Sequence, residues 1–291
     1  MLQFDSNAGL RPPRGLNLPV PRSGMVQTAV GPVDVCETGP EDGAAIILVT
    51  HGLGSLESFE EIAMGLAGRL PGRRIVTYSR PGCGRTPALS GIAPEMLLFR
   101  EASVVLPALM QALAIGKADF VGHGDGAAIA LLAVSLRPDL AGRLLALAPQ
   151  VFADEPFIRM TRNLPREEWR SGLCRQLGAM HADGEAAYRR WLEARDALCQ
   201  APEALLDHID GVRAPVLFVQ GLRDEFGSGM QVSLPASRVA GPVKWVLLQR
   251  DGHFPQHENP EQILALIETH FGDGMPLPAA RRAAAPVLSF A

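Results

Sequence analysis

The 291-residue sequence is poor in the features that mark membrane, secreted or nucleic-acid-binding chains. No apolar run approaches the ~20 residues needed to span a bilayer. The first twenty residues hold Arg11, Arg14 and the prolines Pro12, Pro13 and Pro19. They contain no apolar h-region, so no signal peptide is expected, and the prolines oppose an amphipathic transit helix. Charge of one sign is also lacking: 27 Lys+Arg stand against 31 Asp+Glu, a formal net charge of −4. That balance gives no basic surface for nucleic acid and no polybasic patch for a membrane. The four cysteines (Cys36, Cys83, Cys174, Cys199) form no C-x-x-C pair. Neither zinc-ligand spacing nor a disulfide framework is present. The expectation is a cytoplasmic protein with reduced thiols. No internal repeat is found.

What is there is a chain long enough for a large core, 47% hydrophobic and carrying 30 glycines. Residues 1–24 and 273–291, rich in Pro, Gly or Ala, read as loose ends. Between them, short β-branched runs alternate with helical patterns. The expected strands are Val26–Val30, Val33–Glu37, Ile46–Thr50, Arg74–Tyr78, Phe120–Gly122, Leu144–Ala148, Val216–Gln220 and Trp245–Leu248. The first two, split by Gly31-Pro32, read as a hairpin. The later ones are continuously apolar, as strands buried on both faces of a parallel sheet are. Expected helices are Ser58–Leu70, Pro94–Ile115, Ala127–Leu136 and Pro260–Phe271, with Pro107 kinking the second. From Val151 to Val212 the alternation stops and helical spacing takes over. Trp169, Leu173, Leu177 and Met180 form one stripe, and Tyr188, Trp191, Leu192 and Cys199 another. The expected organisation is an α/β core (25–150 and 213–272) interrupted by a helical cap (151–212).

Gly122-His123-Gly124-Asp125-Gly126-Ala127 directly follows a strand and opens a helix. A dinucleotide fingerprint would need an acidic residue about 20 residues further on, at the end of the next strand. That strand instead runs into Pro149-Gln150, and no acid appears until Asp154. A nucleophile elbow, G-x-S-x-G at a tight strand-to-helix turn, fits every element except the serine. Gly124 stands in its place. The rest of a catalytic constellation follows in order. Ile46–Thr50 leads into His51-Gly52-Leu53-Gly54, a loop able to offer an oxyanion-hole amide. The two donors would be the N–H groups of Leu53 and Asp125. Val216–Gln220 leads to Asp224, and Trp245–Leu248 to His253, giving the order nucleophile, acid, histidine. Glu225 and Asp251 are rival carboxylates. His51 is expected to shape its loop, His123 to pack or hydrogen-bond beside the elbow, and His257 to lie at the surface. Cys83 is a remote candidate for a substitute nucleophile, with nothing nearby in sequence to lower its pKa.

These motifs, together with Tyr78-Ser79-Arg80-Pro81-Gly82-Cys83-Gly84-Arg85, resemble the α/β-hydrolase superfamily. The likeness is to its small esterases and C–C or C–O bond hydrolases, over roughly residues 25 to 271. It implies a mostly parallel eight-stranded sheet covered by helices on both faces, with an inserted helical cap. It also implies that His253 is general base and acid, that Asp224 orients it, and that Gly124 marks the nucleophile position. The expected substrate is a small, largely apolar ester, thioester, lactone or related carbonyl compound. No metal or organic cofactor, nucleic acid or membrane partner is implied, and the oligomeric state is open. Glycine has no atom for covalent catalysis, so water activated directly by the His–Asp pair is one reading. A ligand-binding pseudoenzyme, or a serine hydrolase whose serine was exchanged for glycine, is another. A third is a cofactor-free lyase, isomerase or oxygenase using the same pair.

Overall fold

A computed structural model describes residues 19–272. Most of the two ends read as loose therefore lies outside the described residues. The chain opens with strands β1 (Arg22–Thr28), β2 (Gly31–Thr38) and β3 (Ala44–Val49), followed by α1 (Glu60–Arg69) and β4 (Arg73–Tyr78). Next come the short α2 (Leu97–Arg100), α3 (Leu106–Ala112), β5 (Ala118–His123), α4 (Asp125–Leu136) and β6 (Ala141–Leu147). Helices α5 (Glu155–Ser171), α6 (Leu173–Leu177) and α7 (Gly184–Gln200) precede β7 (Val216–Gly221) and α8 (Met230–Arg238). The chain finishes with β8 (Val243–Leu248), α9 (Pro255–Glu258) and α10 (Pro260–Phe271).

The eight strands form one sheet in the order β1-β2-β4-β3-β5-β6-β7-β8. β1 and β2 pair antiparallel, β2 joins β4 antiparallel, and every later pairing is parallel. The apolar runs explain the central strands: Ile46, Ile47, Leu48, Val49, Leu144, Leu145, Phe218 and Val219 are completely buried. Two hydrophobic clusters divide the core between the sheet's faces. One holds Ile47, Val49, Phe120, Phe218 and most of α4; the other holds Ile46, Leu48, Val121, Leu145 and Ile263. α4 is buried from Asp125 through Val134, so its amphipathic signal vanishes, as for any helix covered all round.

Several sequence expectations need correction at the edges. β1 starts at Arg22, inside the stretch read as a loose arm, and is mostly exposed, so it carries no hydrophobic signature. The hairpin turns at Ala29-Val30, not Gly31-Pro32: Thr28 Oγ1 donates to the Gly31 carbonyl at 2.7 Å and accepts from Val30 N–H at 3.1 Å. β8 is an edge strand rather than one buried on both faces, and Trp245 and Leu247 are exposed. The helix expected over Pro94–Ile115 is broken into a 3-10 turn, α2, a π-helical stretch at Glu101–Val105, and α3. Pro107 supplies the reason: its missing N–H and its ring disturb the preceding turn. The π stretch turns Glu101 inward, where Arg80 Nε meets its two oxygens at 3.2 and 3.0 Å.

Between β6 and β7 the described structure is helical and strand-free. Asp154 caps α5 by accepting from Phe157 N–H at 3.1 Å, and Asp183 caps α7 by accepting from Ala186 N–H at 2.9 Å. Leu173, Leu177 and Tyr188 pack with Leu53 of the core, with Met180, Trp191 and Leu192 against them. These residues of the two helical stripes thus face one another and the loop after β3.

Candidate active site

The turn from β5 to α4 is built by three glycines with different tasks. A Cβ on Gly122 would lie 2.5 Å from Ala127 Cα, and one on Gly126 would lie 2.2 Å from the Val49 carbonyl oxygen. No side chain fits at either place. Gly124 is different. Its backbone is held at φ 57, ψ −120, a region that strains L residues. Yet a Cβ there meets only His51 Cβ at 3.5 Å, His253 Nε2 at 3.6 Å and Gln150 Oε1 at 3.8 Å. Those are ordinary contacts, so the elbow has its shape and room for a side chain it does not carry.

The loops after β7 and β8 bring Asp224 and His253 together. His253 Nδ1 donates to Asp224 Oδ2 at 2.8 Å, and both side chains are buried. Asp224 is held in turn by Phe226 N–H on Oδ1 at 2.7 Å and by Gln220 Nε2 on Oδ2 at 2.8 Å. With Nδ1 committed, Nε2 is the nitrogen turned toward Gly124. The rival carboxylates have other places: Glu225 is exposed, and Asp251 is buried with its backbone carbonyl accepting from Arg223 N–H at 3.0 Å. Glu258 steadies the histidine loop by accepting from Gly252 N–H at 2.7 Å and Phe254 N–H at 3.2 Å.

Two further histidines frame the site without charge. His123 Nε2 lies 2.7 Å from the His253 carbonyl oxygen, which can only accept, so Nε2 carries the proton. Its Nδ1 then accepts from Gln256 Nε2 at 3.0 Å. Burial, with nearby His253 and His51, pushes His123 well below the usual imidazole range. Burial, with His253, does the same to His51. His257 is exposed.

The expected oxyanion donors differ in readiness. Asp125 is the first residue of α4, so its N–H has no intrahelical acceptor by position. Leu53 N–H is turned onto His51 Nδ1 of its own loop at a long 3.4 Å. It would have to exchange that weak contact for a ligand. His181 ties this loop down: Nε2 meets the Leu53 carbonyl at 3.2 Å, and Nδ1 accepts from Gly84 N–H at 2.8 Å.

These groups open on a cleft of about 400 Å³, including its mouth, whose lining includes Leu53, Gln150, Trp191, Arg195, Phe226 and His253. Trp191 also lines an adjoining cleft of about 510 Å³ that holds Arg80, Cys83, Glu101 and Asp125. Burial raises the Cys83 thiol to about 11, the opposite of what a substitute nucleophile needs. Among the described residues no group of three or more His, Cys, Asp or Glu side chains is placed to hold a metal ion. None of their helices is long and apolar enough to cross a membrane.

The sequence profile of the Alpha/beta hydrolase family matches residues 46–266. The chain belongs to this family. It is 32% identical over 213 residues to a magnesium-chelatase 30 kDa subunit of Rhodobacter capsulatus, covering 65% of this chain and 68% of that protein. Among solved structures it is similar to an enol-lactonase from Burkholderia xenovorans LB400, with a TM-score of 0.66 and 18% identity over 85% of this chain and 99% of that one. It is also similar to the carboxylesterase CesB from Bacillus subtilis, with a TM-score of 0.64 and 16% identity over 88% of this chain and 93% of that one.

Within this α/β-hydrolase site, two polar residues carry no motif that marks them in the sequence. Gln150 lies two residues after Ala148, whose φ of 40 is unusual for a residue other than glycine. Its position in the turn that leaves β6, next to Pro149, is the available signal. Arg195 is one of eight arginines between 151 and 212, and only its spacing from Trp191, four residues or one helical turn earlier, hints at a shared face.

Proposed function

We propose that this α/β-hydrolase hydrolyses a small ester or lactone by direct attack of water, without a covalent intermediate. The observation that carries the reading is the 3.6 Å between His253 Nε2 and the point where a Cβ would stand on Gly124. Space that a serine side chain would fill can admit a water within reach of that nitrogen. In the proposed step His253 Nε2 takes one proton as the water oxygen bonds the carbonyl carbon. The carbonyl π electrons move to its oxygen, under the Asp125 N–H and, once released from His51, the Leu53 N–H. Collapse re-forms the carbonyl and expels the alkoxide, which takes the proton back from His253. Asp224 fixes the tautomer and offsets the imidazolium charge. Helices α5 to α7 would act as a cap that excludes bulk water.

The test is acyl-enzyme trapping with 4-nitrophenyl acetate. The protein should turn over slowly with no burst and no acylated mass. Gly124→Ser should add a burst and acylation at position 124, at a stability cost of about 1–3 kcal/mol for a side chain at that backbone conformation. Acylation of the unaltered protein would overturn the water mechanism.

A second reading draws on the relative named as a magnesium-chelatase subunit. A subunit that serves another protein does not require a nucleophile. That reading expects stable co-purification with a chelatase and no ester turnover.

A further inference from the structure

We propose that the cleft beside Gly124 recognises a carboxylate on its substrate, with Arg195 Nη2 and Gln150 Nε2 as the receiving donors. The inference rests on reading this cleft as the substrate site, and it adds the substrate's charge: a small carbonyl compound that is also a carboxylic acid.

Arg195 is 2% exposed. Its Nε donates to Thr161 Oγ1 at 3.1 Å and its Nη1 to Gln150 Oε1 at 2.9 Å. Nη2 is buried and has no hydrogen-bond partner. Among the described residues no carboxylate makes an ion pair with this guanidinium, whereas buried Arg80 pairs with Glu101. Aromatic rings surround it instead: Cζ lies 3.8 Å from the Phe157 centroid and 5.0 Å from that of Trp191. They hold the group by its faces and leave Nη2 unsatisfied. Burial lowers the arginine to about 10, so it remains a cation at neutral pH. A buried cation without a counter-ion is unusual, because desolvation is compensated only by a partner.

Gln150 makes the same demand. Arginine only donates, so the atom facing it must be the amide oxygen. That orientation leaves Nε2, which is likewise buried without a partner. The two residues line one wall of the cleft. Gln150 Oε1 lies 3.8 Å from a Cβ position on Gly124. The missing acceptor is therefore one side chain away from the reacting centre. An anion seated there belongs to the same small molecule as the carbonyl under attack, a few bonds from it. Arg195 Nη2 and Gln150 Nε2 can each donate to such a carboxylate.

The test uses probes that carry no ester or lactone bond: 4-oxopentanoate and its uncharged analogue 4-oxopentanamide. Titration calorimetry of the full chain should show the acid binding roughly tenfold or more tighter than the amide. Arg195→Met should erase that preference, and Arg195→Lys should restore part of it. Thermal melting of Arg195→Met checks its fold independently. The midpoint should not fall, and acid should raise the midpoint of the unaltered protein but not of the variant. Equal affinities for the two probes, no acid binding at millimolar concentration, or a preference that survives Arg195→Met would overturn the proposal. Because these readouts need no turnover, failure of the water mechanism leaves them standing. Conversely, His253-dependent hydrolysis of neutral esters without acid preference would sink this inference alone.

Discussion

Two buried arginines lie on either side of Trp191, in adjoining clefts, and their surroundings are opposite. Arg80 makes a 3.0 Å ion pair with Glu101, lies 3.6 Å from the Asp125 carboxylate, and shares Glu101 with the Tyr78 hydroxyl at 3.0 Å. Burial by itself would lower this arginine, but the Glu101 and Asp125 carboxylates more than offset it and hold the group above its ordinary value. Arg195 touches amide, hydroxyl and aromatic groups, and burial lowers it by more than the Asp125 and Asp224 carboxylates, which make no ion pair with it, raise it. The first arrangement carries its counter-charges within the chain, although Arg80 Nη1 makes no hydrogen bond, and serves the fold. The second is incomplete until something acidic arrives. The difference teaches how to tell a structural buried charge from a functional one: by whether its partner is part of the chain.

The largest effect should come from breaking the complete side. Glu101→Gln leaves Arg80 buried without its main counter-charge, at an expected loss of about 3–5 kcal/mol in urea unfolding. A loss below about 1 kcal/mol would mean the pair is not what stabilises that cleft.

Next in size is a pH effect to which the site histidines contribute alongside His270, which burial lowers to about 4. His51 and His123 are held neutral by burial, well below the usual range. The unfolded chain protonates them near 6.5, whereas the folded chain does not until far lower pH. Their contribution is therefore full above about pH 6.5 and falls as pH drops below it, by about 1.4 kcal/mol per pH unit for each imidazole. Urea midpoints from pH 7 to pH 5 measure this, and His123→Asn should reduce the slope.

Smaller and of opposite sign to Glu101→Gln is Arg195→Met. Removing a buried cation that lacks an internal partner should leave stability unchanged or raise it by about 1 kcal/mol. The smallest effect is expected for Cys83→Ser. With its thiol raised to about 11, ester turnover should stay within about twofold, and a large loss would reopen cysteine catalysis.

The same contrast between complete and incomplete surroundings explains what can be read from sequence. Central strands such as Ala44–Val49 and Val216–Gly221 are buried on both faces, so they are legible as apolar runs. β1 is exposed and polar and leaves no such trace, and β8 has apolar residues that the edge position exposes. α8 is hard to read as a helix because it has only nine residues and holds Pro235 inside it. In the site, Gly124, Leu53, Asp224 and His253 sit in loops that follow strands, and Asp125 opens the helix after one of them, where short motifs carry position. The structure pairs Asp224 with His253 and turns His253 Nε2 toward Gly124, while Leu53 and His253 line one cleft and Asp125 the adjoining one. Gln150 and Arg195 depend on how α7 lies over the core. Nothing in a helix containing Arg189, Arg190 and Arg195 says which arginine is buried.

The most direct test of the central claim is the hydrolysis rate of 4-nitrophenyl acetate by the protein and by its His253→Gln variant, measured side by side at neutral pH. Activation of water by the His253–Asp224 pair predicts a fall of roughly 10²–10⁴-fold in the variant. Equal rates in the two proteins would contradict it.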